Sequence, residues 1–171
     1  RGLGDVYKRQ AYDISTCSAH SVSSIGLAHP GGGPAKGLYF KPDGTKLFYV
    51  DSTHMRAYDL STAWDITTMS GSGPTSDDLL LSSLNSSSNG SSISFKPDGS
   101  KIYVSEGSSG DSYIHQWSLS TSWDLSTASY GNASPIFTGS QQNNILGFSW
   151  KSDGTQIIVT HGSYYIGRWP V

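Results

Sequence analysis

The sequence predicts an all-β fold: a partial β-propeller of four-stranded antiparallel blades with a repeat of about 55 residues. Three observations point there. One segment recurs at a constant spacing, as LYFKPDGTKLFYV (Leu38 to Val50), ISFKPDGSKIYVS (Ile93 to Ser105) and FSWKSDGTQIIVT (Phe148 to Thr160), so that Lys41, Lys96 and Lys151 stand 55 residues apart. Each copy opens by alternating, with Leu38 and Phe40 around Tyr39, Ile93 and Phe95 around Ser94, and Phe148 and Trp150 around Ser149. That period of two marks a strand with one apolar face. Finally, serine makes up about a fifth of the 171 residues and glycine supplies 20, a composition that favours turns and polar strand faces over helices.

The elements follow in order. The first ten residues, RGLGDVYKRQ, match no part of the repeat. The string GDVYKRQ resembles translated read-through of a sequencing adapter at the end of an environmental sequence fragment, and positions 1–10 are expected to be a non-native leader. Positions 11–35 are expected to end a preceding blade, with AYDIS and SVSSIGLA (Ser21 to Ala28) as its last two strands. Positions 36–84 read as a whole blade. Its first strand ends in Lys-Pro-Asp-Gly, where proline presets φ, aspartate binds nearby backbone and glycine accepts positive φ. KLFYV then completes a hairpin. A third strand, MRAYDL (Met55 to Leu60), places Tyr58 in an aromatic slot, STAWDITT follows, and DLLLSSL (Asp78 to Leu84) is a weaker fourth strand. Positions 91–140 repeat the pattern with IHQWSL and Trp117 as the third strand, STSWDLST after it, and SPIFTGS as the fourth. Positions 146–171 supply a blade without its fourth strand, ending in IGRWPV with Trp169 in the slot, and Ser152 there replaces the turn proline. Two whole and two partial blades do not make a ring, which takes about four to eight. The chain is therefore expected to be a fragment whose exposed edges favour self-association.

The FKPDG(T/S)K(L/I) hairpin followed by a YDLST strand end resembles propeller repeats of the Pro-Asp-Gly type, related to the YVTN and Tol-like families. The resemblance covers Ala11 to Val171. It departs from the WD repeat, because Trp64-Asp65 and Trp123-Asp124 fall after the third strand and no Gly-His pair precedes the first. The resemblance implies a scaffold used for binding, sensing or adhesion and sometimes for catalysis, in an extracellular, envelope or virion-surface setting. It implies no single activity.

Bulk properties narrow the classes. A formal net charge of −2 and a pI near 6.2 leave no electrostatic footprint for nucleic acid or an anionic membrane. No apolar run reaches the length of a membrane helix. The single cysteine, Cys17, rules out an internal disulfide and a cysteine-based zinc site. No cofactor is expected. The sequons at Asn85, Asn89 and Asn132 are what so serine-rich a chain contains by chance.

The strand order sorts the loops. The Pro-Asp-Gly turns and the Ser-Thr-x-Trp-Asp segments leave one end of the blades and barely change between copies. The other end varies, and variable loops on a constant scaffold usually carry function. Candidate binding residues there are Lys36, Asp51, His54, Asn89, Glu106, Asp111, Asn144, His161, Tyr164 and Tyr165. Asp43, Asp98 and Asp153 are explained by the turn. Trp64 and Trp123 are expected to plug seams between blades, with sugar stacking as the alternative. Asp51, Glu106 and His161 share one slot on successive blades. Packed sheets lie about 10 Å apart and metal bonds span about 2.0–2.6 Å, so no shared metal is expected. Two carboxylates so spaced would suit an inverting glycosidase, although nothing supplies a matched acid and base. The Gly-rich run HPGGGPAK (His29 to Lys36) enters a strand, not the helix N-terminus a phosphate cradle needs. No catalytic residue is assigned. The leading expectation is a non-enzymatic module that binds protein or glycan through its variable end, where Ser, Asn, Gly and Tyr suit adaptable contacts. The alternatives are a hydrolase or lyase with acids at a channel mouth, and a purely structural or assembly role.

Overall fold

The computed structural model of the chain describes residues 33–69, 78–81, 90–106, 112–130, 136–137, 145–162 and 166–171. The leader, the strands expected up to residue 28, Cys17, Asn89, Asp111, Asn144, Tyr164 and Tyr165 lie outside the described residues.

The fold is all-β, with three antiparallel sheets. The first holds β1 (Gly37–Phe40), β2 (Lys46–Val50), β3 (His54–Asp59) and β4 (Asp78–Leu80) in that order. The second holds β5 (Gly90–Phe95), β6 (Lys101–Glu106), β7 (Tyr113–Leu119) and β8 (Ala128–Tyr130), with β9 (Ile136–Phe137) also paired to β7. The third holds β10 (Ile145–Trp150), β11 (Gln156–His161) and β12 (Ile166–Pro170). Short 3-10 turns span Ile66–Thr68 and Leu125–Thr127, and no α-helix occurs among the described residues.

The turns form as their residues dictate. Gly44, Gly99 and Gly154 adopt φ of 74°, 72° and 73°, a region glycine enters without steric cost. Each donates its N–H to the carbonyl of the lysine three residues earlier at 2.8 Å. The aspartate before each glycine accepts from the backbone N–H two residues on, at 3.0, 2.9 and 3.0 Å. Ser152 in place of proline leaves the third turn unchanged in these bonds.

The weak fourth strands exist in part. β4 pairs with β3 through Met55 and Leu79, and β9 pairs with β7 through Tyr113 and Phe137. β8 is an addition to the sequence reading. Its origin is the capped turn before it: Asp124 accepts from the Ser126 N–H at 3.0 Å and its hydroxyl at 2.6 Å, and the chain then runs back along β7. In the first sheet the same return is a single bridge between Leu60 and Met69.

Register sorts the faces. Phe40, Leu47 and Tyr58 share one face of the first sheet, and Tyr39, Phe48 and Ala57 share the other. The second face packs onto the next sheet, where Phe48 meets Phe95 at 4.4 Å between ring centroids, in a core with Val50, Met55, Ile102 and Trp117. The second sheet meets the third in the same sense, through Tyr103 on Trp150 at 4.6 Å, over Ile145, Ile157 and Val159. The opening strands come closest. A Cβ on Gly37 would lie 2.9 Å from the Ser92 Cα, and the Ser91 hydroxyl donates to the Ile145 carbonyl. β1, β5 and β10 thus stand side by side.

Candidate functional site

The Pro-Asp-Gly turns and the Ser-Thr-x-Trp-Asp segments do share one end of the sheets. The Trp64 N–H donates to the Gly44 carbonyl at 2.9 Å, and the Trp123 N–H to the Gly99 carbonyl at 3.1 Å. The other end begins where β2, β6 and β11 finish, at Asp51, Glu106 and His161. These three occupy equivalent positions, and each has a different environment.

Asp51 is fully buried. Its Oδ1 accepts from the backbone N–H groups of Thr53 (2.7 Å) and His54 (2.8 Å), so it closes the β2–β3 turn. Its Oδ2 accepts from Arg56 Nη1. Arg56 is equally buried, accompanied by the Tyr49 hydroxyl at 3.2 Å and by Asp78, 3.4 Å from its Nε. Burial works against ionisation of Asp51, but the two backbone N–H groups and Arg56 outweigh it and hold the carboxyl below its ordinary range. Burial pushes the Tyr49 hydroxyl up to about 12 despite the arginine beside it. Asp51 is therefore a structural anion among these residues, not a surface contact. His54 is half-buried next to it, with Nδ1 2.7 Å from the Thr53 hydroxyl.

Glu106 lies in the seam between the first two sheets. Its Oε2 is 2.8 Å from His115 Nε2, and His115 Nδ1 is 3.2 Å from the Tyr130 hydroxyl. The chain Tyr130–His115–Glu106 has the connectivity of a proton relay, but burial, helped by the charge of Glu106, raises the Tyr130 hydroxyl above its ordinary value. Tyr130 thus keeps its proton and is not an activated nucleophile.

His161 has no such partner. It is buried, and neither ring nitrogen has a hydrogen-bond partner among the described residues. Its ring lies 5.8 Å from that of Trp169. Burial lowers its pKa and keeps the imidazole neutral.

Register explains the series. Arg56 faces Tyr49, His115 faces Val104, and Gly167 faces Val159, one place in three sheets. The pairs are Asp–Arg, Glu–His and His–Gly. Arg56, His115 and Tyr130 escaped the sequence reading. The signal was present: Arg56, His115 and Gly167 each stand two residues before the aromatic slot, on the same strand face. Of the other candidates, Lys36 is exposed, and its backbone N–H donates to Val50 at 2.9 Å. The structure thus brings Asp51 and His54 together and leaves Glu106 and His161 in successive seams. Among the described residues no three His, Cys, Asp or Glu side chains gather as a metal-holding group, and no helix is long and apolar enough to cross a membrane.

No protein-family model matches this chain, and no curated protein sequence matches it.

Proposed function

We propose that the chain is a recognition scaffold built from propeller blades, binding a protein or glycan through the end that carries the β2–β3 and equivalent loops. One observation carries this reading. The hydrogen bonds of the Lys-x-Asp-Gly turn recur in three sheets, whereas the opposite end changes chemistry with each sheet, from Asp51–Arg56 to Glu106–His115 to His161 with Gly167. Constant geometry beneath varied side chains is the arrangement of a binding surface on a rigid support. The blade reading is supported by the serial packing of the sheets through their opening strands. The buried Asp51–Arg56 ion pair and the Glu106–His115 hydrogen bond underlie this end, and Lys36 and His54 are its described candidates for contact.

The test is a glycan array and a panel of cell-surface proteins probed with the purified chain. Saturable binding that Lys36→Ala and His54→Ala weaken, with unchanged thermal stability, is expected. Absence of any binding, or binding indifferent to both variants, would overturn the reading.

A further inference from the structure

The seam between the first two sheets joins an exposed phenol to a buried imidazole. Tyr130, at the end of β8, is 39% exposed, whereas His115 on β7 is 6% exposed. His115 Nδ1 stands 3.2 Å from the Tyr130 hydroxyl, and its Nε2 stands 2.8 Å from Glu106 Oε2. A carboxylate only accepts hydrogen bonds, so the proton of the neutral imidazole belongs on Nε2, and Nδ1 keeps its lone pair for the phenol. Aromatic rings flank the imidazole, Tyr113 at 6.1 Å and Trp117 at 6.0 Å between centroids. Trp117 is buried and also meets Tyr130 edge-on at 5.5 Å.

For a phenol at rest this arrangement does little, because burial and the nearby Glu106 charge keep the proton on Tyr130. It matters once the ring loses an electron. An oxidised phenol is a strong acid, and the electron leaves more easily when a base already stands on the hydroxyl. Tyr49 supplies the contrast within the same chain. It is buried, and its hydroxyl meets Arg56 Nη1 at 3.2 Å, a group that has donors only and cannot take a proton.

We propose that Tyr130 is a redox-active side chain that gives one electron to an oxygen-centred radical, such as the carbonate radical anion, while its hydroxyl proton passes to His115. In this step the phenolic O–H bond breaks and an N–H bond forms at Nδ1. Tyr130 is oxidised to a neutral phenoxyl radical, and the carbonate radical anion is reduced to carbonate. Glu106 holds the resulting imidazolium through a charge-assisted bond. Oxidation that begins at the buried Trp117 indole drains to the same phenol, which lies in ring contact with it. This activity is separate from ligand recognition and stands whether or not the loop end binds a partner.

The test exposes the whole chain to carbonate radical anion, made by pulse radiolysis of bicarbonate, in the presence of a nitroso spin trap. The trap adds to the phenoxyl ring carbon and marks the site for tandem mass spectrometry. Tyr130 should carry more adduct than any other tyrosine of the folded chain, and that excess should vanish in urea above the unfolding transition. His115→Phe keeps a ring and removes the base. It should lower the Tyr130 adduct at least about tenfold, since a positioned proton acceptor usually contributes about a hundredfold or more. Glu106→Gln keeps an acceptor for the Nε2 proton but removes the charge that holds the imidazolium, and should give a smaller loss in the same direction. Tyr49 reports folding and should stay unmarked in both variants; the wild-type comparison with urea decides without either of them. Adduct distributed as in the unfolded chain, or a Tyr130 excess that both variants leave unchanged, would overturn the proposal.

Discussion

Three glycines with one conformation make a controlled experiment at the residue scale. Gly99 and Gly154 share φ and the N–H bond to the lysine carbonyl of the turn, and differ in what stands above them. Alanine at Gly154 meets only the backbone penalty of a left-handed residue, about 1–2 kcal/mol. Alanine at Gly99 adds a collision with the Trp123 ring and should cost about 1–2 kcal/mol more, the range of an overpacked contact. Urea denaturation of both variants reads the difference, and equal losses would show that the tryptophan yields freely. The buried pair offers a second comparison. Arg56→Ala strands the Asp51 carboxylate in the interior and should destabilise by about 3–5 kcal/mol, whereas Lys41→Ala, which breaks the partly exposed Lys41–Asp43 pair, should cost about 0–1 kcal/mol. The turn glycines were legible as residues because Pro-Asp-Gly states its own backbone. The pairing of Asp51 with Arg56 was not, because a carboxylate at a strand end looks the same whether it meets water or a guanidinium.

At the scale of elements, the Ser-Thr-x-Trp-Asp segment is a folded unit. Asp65 and Asp124 cap their 3-10 turns, and Thr68 and Thr127 close them from behind, accepting from the N–H groups of Thr62 at 3.0 Å and Thr121 at 3.1 Å. The unit therefore places its tryptophan reproducibly, and the value of the placement depends on the neighbouring sheet. Trp123 fills the seam against Phe48 and Tyr39, as the sequence led one to expect, whereas Trp64 is 59% exposed and packs on Phe40. Trp123→Ala should cost about 2–4 kcal/mol, near the lower end of buried aromatic truncations, and Trp64→Ala distinctly less. Thermal melts of the two variants decide it, and equal losses would mean that the seam contributes nothing. The hairpins were legible because alternation and turn chemistry agree there. β8 was not, since its pairing follows from the cap before it and not from any alternation in Ala128–Tyr130.

For the whole molecule, the differing pairs predict an order of failure on acidification. His161 is buried with its pKa lowered by that burial. The unfolded chain therefore binds the proton more readily, and the stability His161 contributes is present above the ordinary value of 6.5 and is lost as pH falls through its lowered folded value. Asp51 is also lowered, from 3.8, so its contribution persists to the acid side of the ordinary carboxylate range and disappears only as pH falls through that still lower value. Hydrogen exchange followed by mass spectrometry should show β10, β11 and β12 losing protection first as pH is lowered from 7.5, with β2 and β3 holding until their carboxylates titrate. His161→Leu should flatten the first step. Simultaneous loss throughout the chain would show that the sheets fail as one unit. The backbone contact at Gly37 bears on the first two sheets through geometry. It acts as a thin shim at one margin of a stack of plates. Strands lie about 4.8 Å apart, so the outermost strand of a four-stranded sheet stands about 14 Å from that margin, and thickening the shim by one methyl group would tilt the first plate against the second. The loops it carries would be displaced in proportion to their distance from the pivot, so a substitution far from any ligand could misalign a binding surface whose own residues are untouched.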